Sequence, residues 1–287
     1  MPDLRTLLRG PGIVVAPGAF DPFSALVLEG LGFPALYLGG NAIGLQLGVG
    51  QPFVTMSETA DSIRRITRVA SVPLLADAGA GFGDAAHVRI TMQELERAGA
   101  AALHFDDQVY PKRAHYHRGT GRLAEPATVA AKLATAVQAR RKADTLVIAR
   151  TDALRVTRSI DDTIARGRVY AQAGIDALMV LDLDVEQAPL VRHALPELPL
   201  IWIGGIAEPV PSIAQLQAAG FSMAVYPFTT VAAIGEAIRA TWKDALATGR
   251  PAAPARPIAE SVRGALDLVG MQKFWDIEKA TTEKGEG

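Results

Sequence analysis

One phrase recurs along the 287 residues and limits the fold more than any other feature: a helix-like stretch, a small residue with glycine, then an apolar burst. It stands as EGLGFPALYLGG at 29–40, ERAGAAALHFDD at 96–107, AQAGIDALMVLD at 171–182 and QAAGFSMAVYPF at 217–228. The glycine suits a left-handed residue ending a helix, and the burst suits a strand buried on both faces. GIVVAPG (12–18), VPLLADAG (72–79), TLVIARTDA (145–153) and LPLIWIGG (198–205) fill the gaps and bring the expected strands to eight. Between them, segments such as TMSETADSIRRITRVA and SIDDTIARGRVYAQAG carry apolar residues at helical spacing, several behind a Ser, Thr or Asp cap.

Eight strand and helix units predict an α/β fold, a (β/α)8 TIM barrel over residues 1–250, since that fold needs about 250 residues. A doubly wound open sheet is the rival, against which no GxGxxG follows the first strand. Residues 251–287 open on a proline-rich stretch and continue as a helical extension. Its apolar side (Val262, Leu266, Leu268, Val269, Phe274, Trp275) needs a cover, for which a neighbouring subunit is one candidate.

The net charge of -1 gives no basic field for nucleic acid or an anionic membrane, so a small soluble partner is expected. The chain has no cysteine, which removes disulfides, thiolate metal sites and cysteine catalysis together. The N-terminal apolar run is short and broken by Pro17, unlike a signal peptide or anchor, and a cytoplasmic protein is expected.

A barrel keeps its chemistry at the C-terminal ends of its strands. There the third burst ends in Asp77, and the fourth places His104, Asp106 and Gln108 on one face, Phe105 and Asp107 on the other. The fifth places Arg150 and Asp152 on one face, the second ends in Tyr37 and the Gly39, Gly40, Asn41 turn, and the seventh offers Gly204, Gly205 and Glu208. One arginine among acids suits a site where a carboxylate meets a divalent cation. From spacing alone, Asp77 equally suits a helix cap, Arg150 with Asp152 a structural ion pair, and His104 a core histidine.

PLLADAGAGFGD, ERAGAAALHFDDQVYPKR and IARTDAL, in that order and spacing, resemble the isocitrate lyase and phosphoenolpyruvate mutase superfamily, especially its methylisocitrate lyase branch. The resemblance implies Mg2+ or Mn2+ held by Asp77 and, mainly through water, by Asp106. It implies Arg150 on a substrate carboxylate and the backbone of Gly39, Gly40 and Asn41 on a 2-oxo acid, with Tyr37 beneath. Gly205 joins the expected substrate contacts, and Lys112 and Arg113 fall on the family's mobile loop. It further implies a homotetramer with exchanged C-terminal helices.

The departures carry equal weight. Ala114 stands where the lyases keep a catalytic cysteine, Gly79 where they keep a second acid, and Gln51 or a neighbour where they keep an aspartate. A cysteine-dependent isocitrate lyase is therefore not expected. The resemblance then implies cleavage of a carbon–carbon bond, by retro-aldol reaction or decarboxylation, in a small 2-hydroxy or 2-oxo di- or tricarboxylic acid through an enolate of a 2-oxo acid. His115, with Tyr116 and His117, offers a replacement acid or base, or is simply an exposed loop residue. Carbon–phosphorus mutase or hydrolase chemistry is the alternative within enzymes, and a barrel that binds a carboxylate without turnover the alternative outside them.

Overall fold

A computed structural model describes residues 3–114 and 121–282. Its eight strands, all parallel, are β1 (Val14–Pro17), β2 (Leu36–Leu38), β3 (Leu74–Asp77), β4 (Ala102–Asp106), β5 (Leu146–Thr151), β6 (Ala177–Leu181), β7 (Leu200–Ile203) and β8 (Met223–Tyr226). They neighbour one another in the order β1-β8-β7-β6-β5-β4-β3-β2. A single bridge between Gly18 and Tyr37, with the Ala19 amide donating to the Tyr37 carbonyl at 2.8 Å, closes the remaining seam. This is the (β/α)8 barrel that the eight bursts predict, and an open doubly wound sheet is excluded.

The period-two alternation of the strands builds two cores. Leu75, Ile148, Met179, Ile201 and Met223 fill the barrel interior, joined by Leu4 and Leu8 of the helix Leu4–Arg9. Leu74, Leu103, Val147, Leu178 and Leu200 face the surrounding helices. Helix starts follow their caps: Thr55 and Glu58 form a reciprocal capping box, Asp84 accepts from Ala86 and His87, and Ser159 from Asp162. Gly32, Gly99, Gly174 and Gly220, the glycines of the repeated phrase, all adopt positive φ, between 83° and 110°. In that region a Cβ would be strained, which is why the phrase can end each helix within one residue.

The chain divides into two compact units, Met1–Val231 and Ala232–Gly287, so the sequence boundary at Arg250 lies inside the second. The second unit contains the helices Ile258–Leu268 and Met271–Thr281, on which Val262, Phe274 and Trp275 are exposed. Among the described residues, no helix is long and apolar enough to cross a membrane.

Candidate active site

The strand ends of β2 to β5 bring the polar residues together because each presents an odd-even match to the barrel interior. Asp77, His104, Asp106 and Arg150 follow in register across β3, β4 and β5, with Asp77 opposite His104 and Asp106 opposite Arg150. All four are buried. Atoms of Asp77, His104 and Asp106 lie within 4.8 Å of one another, a group able to hold a metal ion.

Asp77 is held from three directions. Its Oδ2 accepts the Gly40 amide at 3.1 Å and the Gln51 side-chain amide at 2.9 Å, and its Oδ1 accepts the Gly79 amide at 2.7 Å. The helix Ala85–Arg97 is capped by Asp84, which leaves Asp77 to the site. Gly79 also accepts the Asp106 amide at 2.7 Å, so the residue that replaces the second acid ties the two remaining acids together by its backbone. With φ of +53° and nothing within 4 Å of a built Cβ, Gly79 opens onto free space.

Asp106 sits among cations. Lys112 Nζ lies 2.9 Å from its Oδ2 and Arg150 Nε 3.6 Å from its Oδ1, while His104 Nδ1 lies 3.2 Å from Oδ1. Burial pushes the Asp106 carboxyl pKa up, but the Arg150 guanidinium and then the Lys112 ammonium override it and hold the pKa well below the usual carboxylate range. His104 has both ring nitrogens engaged, the second by the Tyr37 hydroxyl at 3.0 Å, with the Tyr37 ring stacked on it. An imidazole so placed is a spacer between Tyr37 and Asp106 more than a ligand.

Arg150 is oriented by Asp152. Its Nε donates to Asp152 Oδ1 at 2.9 Å and its Nη2 to Oδ2 at 3.4 Å, while Gln108 donates to the same Oδ2 at 2.5 Å and to Asp106 Oδ2 at 3.4 Å. The arginine therefore serves both acids, and the structural ion pair expected from spacing exists inside the site. A cavity of about 50 Å3 lies on the Asp77 side of the site, lined by Gly40, Gln51, Asp77, Gly79, Phe82 and Lys112.

The remaining expected residues are spread around the same rim. Gly39 caps the helix Gly40–Gln46 and packs against the Tyr37 ring, and Asn41 is half-buried in its first turn. Gly205 adopts φ of +81° against Tyr226, beyond β7. Arg113 is exposed and lines a separate small cavity with Gln108, Tyr110 and Arg122. His115 lies outside the described residues, as do Tyr116 and His117. Gln51 and Gln108, to which the sequence reading gave no role, prove to be direct partners of the acids. Gln108 carried a signal, its shared face with Asp106; Gln51 carried only its place in the departing segment.

The profile of the phosphoenolpyruvate phosphomutase family matches residues 4–246. The chain belongs to that family. A 2-methylisocitrate lyase of Aeropyrum pernix is 37% identical, the match covering 98% of this chain and 89% of the relative. A 2,3-dimethylmalate lyase of Eubacterium barkeri is 32% identical over 96% of each chain. Among solved structures, a phosphonopyruvate hydrolase in complex with oxalate and Mg++ superposes with a TM-score of 0.85 at 25% identity, covering 98% of both chains. The superfamily that the sequence motifs resemble is thus the one found.

Proposed function

We propose that this family member is a metal-dependent carbon–carbon lyase acting on a small 2-hydroxy or 2-oxo di- or tricarboxylic acid. The observation that carries the reading is the buried Arg150 guanidinium set beside Asp106, whose carboxylate shares one metal-capable group with Asp77 at the same strand-end rim. The donor set fits a hard divalent cation: two buried carboxylates, one kept ionised by its cationic neighbours, suffice for magnesium, which keeps several waters. Asp77 and Asp106 would hold Mg2+ or Mn2+, which when bound supplies Lewis-acid stabilisation of negative charge on substrate oxygens.

The chain's own groups do the rest. Arg150, oriented by Asp152, pairs with a substrate carboxylate, and the Gly39, Gly40, Asn41 turn and Gly205 shape the place for the oxo or hydroxy end. Lys112 and Tyr37 add donors beside Asp106 and His104, offsetting the charge of the enolate formed as the bond breaks. One proton must then reach the carbon that lost its bond, and retro-aldol cleavage also needs the 2-hydroxyl proton removed. His115 is the proposed acid and base, with Arg113 on the same loop.

The two sequence relatives are named for carbon–carbon lyases, which supports that cleavage; the phosphonopyruvate hydrolase, similar at 25% identity, keeps carbon–phosphorus chemistry as the second reading. Cytoplasmic location and a homo-oligomer, dimer or tetramer, covering Val262, Phe274 and Trp275 belong to the same reading; fractionation and light scattering test them. The decisive assay supplies Mg2+ or Mn2+ with C3-substituted malates, methylisocitrate, oxaloacetate and phosphonopyruvate in turn, following release of a 2-oxo acid. Metal-dependent turnover of a carbon substrate is expected. Turnover of phosphonopyruvate alone would reassign the enzyme, and binding of oxalate without any turnover would make it a carboxylate-binding barrel.

A further inference from the structure

The outer side of β4 carries an acid that the proposed chemistry does not use. Asp107 follows Asp106, so its side chain leaves the barrel interior and enters the layer between strands and helices. It is 0% exposed, and donors converge on it. Its Oδ2 accepts the Thr151 hydroxyl at 2.6 Å, the Tyr170 hydroxyl at 3.0 Å and, at 3.5 Å, Arg166 Nη1. Its Oδ1 accepts the backbone amide of Asp152 at 2.9 Å.

The backbone of Asp107 extends the clamp. Its amide donates to the Arg150 carbonyl at 3.0 Å, and its carbonyl accepts the Ala124 amide at 2.9 Å. Asp152 lies just past β5 with φ of -101° and ψ of 12°, off the strand conformation, and its carboxylate fixes the Arg150 fork. An arginine is only as well aimed as the carboxylate that holds it, and that carboxylate is only as well placed as its own backbone.

We propose that Asp107 is a positioning residue for the substrate carboxylate: from the outer face of the barrel wall it fixes the Asp152 amide, and through Asp152 it aims Arg150. An acid is required there because only donors face it. An asparagine can accept from the Asp152 amide, but its own amide then points at the hydroxyls and at Arg166. The hydroxyls can rotate to accept, whereas Arg166 cannot. The inference rests on the reading that Arg150 receives a carboxylate.

Oxalate with Mg2+ is the probe, its affinity measured by titration calorimetry on the full chain. Asp107→Asn is expected to weaken oxalate about tenfold, while Mn2+ binding, followed by electron paramagnetic resonance, changes less than about twofold. In an Arg150→Lys background the same substitution is expected to cost less than about twofold, because the fork it aims is gone. Glu96→Gln serves as the control, a buried carboxylate that accepts the Arg141 and Lys142 amides elsewhere, and is expected to leave oxalate binding unchanged. Unchanged affinity in Asp107→Asn, an equal loss in both backgrounds, or a matching loss in Glu96→Gln overturns the inference. Where Asp107→Asn does not fold, Thr151→Val replaces it, with a loss of about threefold expected and none overturning the inference. Failure of the unaltered protein to bind oxalate overturns the Arg150 reading and this inference together, whereas binding that Asp107→Asn leaves intact overturns only the latter.

Discussion

Replacing Arg150 by lysine keeps a positive charge and removes the planar fork. Arg150 is 5% exposed and reaches Asp152 through Nε at 2.9 Å and Nη2 at 3.4 Å, with Asp106 3.6 Å from Nε. A lysine ammonium has no second edge with which to serve a substrate while held by Asp152. One charge-assisted hydrogen bond is worth about 1.5–3 kcal/mol; two are at stake between substrate and Asp152 and the lysine ammonium recovers about 1–2 kcal/mol, so a loss of about 2–4 kcal/mol is expected in transition-state binding. That is about 30- to 1000-fold in kcat/KM, most of it in KM, since the carboxylate is bound before and during cleavage. Stability should fall by only about 1–2 kcal/mol in Arg150→Lys, but by about 3–5 kcal/mol in Arg150→Met, which leaves Asp106 and Asp152 buried without this guanidinium. Steady-state kinetics beside urea unfolding measures both. An unchanged KM in Arg150→Lys, or equal stability of the two variants, refutes the placement of Arg150 between acid and substrate.

Asp77→Asn turns an acceptor of three N–H groups into a side chain that meets one of them with its own, and should weaken Mn2+ binding at least about tenfold by paramagnetic resonance. Gly79→Asp adds a carboxylate in open space at a left-handed φ that aspartate tolerates, and is expected to tighten Mn2+ binding at a stability cost of about 1 kcal/mol. Burial is the main cause that raises the Asp107 carboxyl from 3.8 to about 6, ahead of the Thr151 and Asp152 hydrogen bonds that oppose it. The folded chain therefore holds that proton more tightly than the unfolded chain, and the stability it contributes is complete below pH 3.8 and lost as pH rises through about 6. Measured as wild type minus Asp107→Asn, unfolding free energy should fall by about 2 kcal/mol from about pH 4 to about pH 7, and a flat difference refutes the raised pKa.

Local pattern carried the barrel because each of its units announces itself within a dozen or so residues: cap, apolar face, terminal glycine, burst. The inward set at the site was legible for the same reason, since alternation alone puts His104, Asp106 and Gln108 on one side and Asp107 on the other. What the sequence did not disclose are contacts made across the fold. Gln51 meets Asp77 from 26 positions away, and Asp107 meets Asp152 and Tyr170 from 45 and 63 positions away. No periodicity encodes such pairs. The helix Leu4–Arg9 is a similar case: its buried face, Leu4 and Leu8, is matched to the inside of a cylinder that exists only after the strands have closed.

The seam between β1 and β2 has a consequence for how the molecule yields. Every other pair of neighbouring strands shares a ladder, whereas these two meet at one bridge, and Tyr37 supplies its carbonyl on one side and the hydroxyl that touches His104 on the other. A cylinder split along one line opens there first, like a ring with a single clasp. The clasp here is a residue of the active rim, so any breathing of the wall is felt at once by the histidine and the acid behind it. The exchange rate of the Ala19 amide, which Tyr37 holds, is therefore a gauge of the site's own rigidity, readable by a solvent proton with no substrate present.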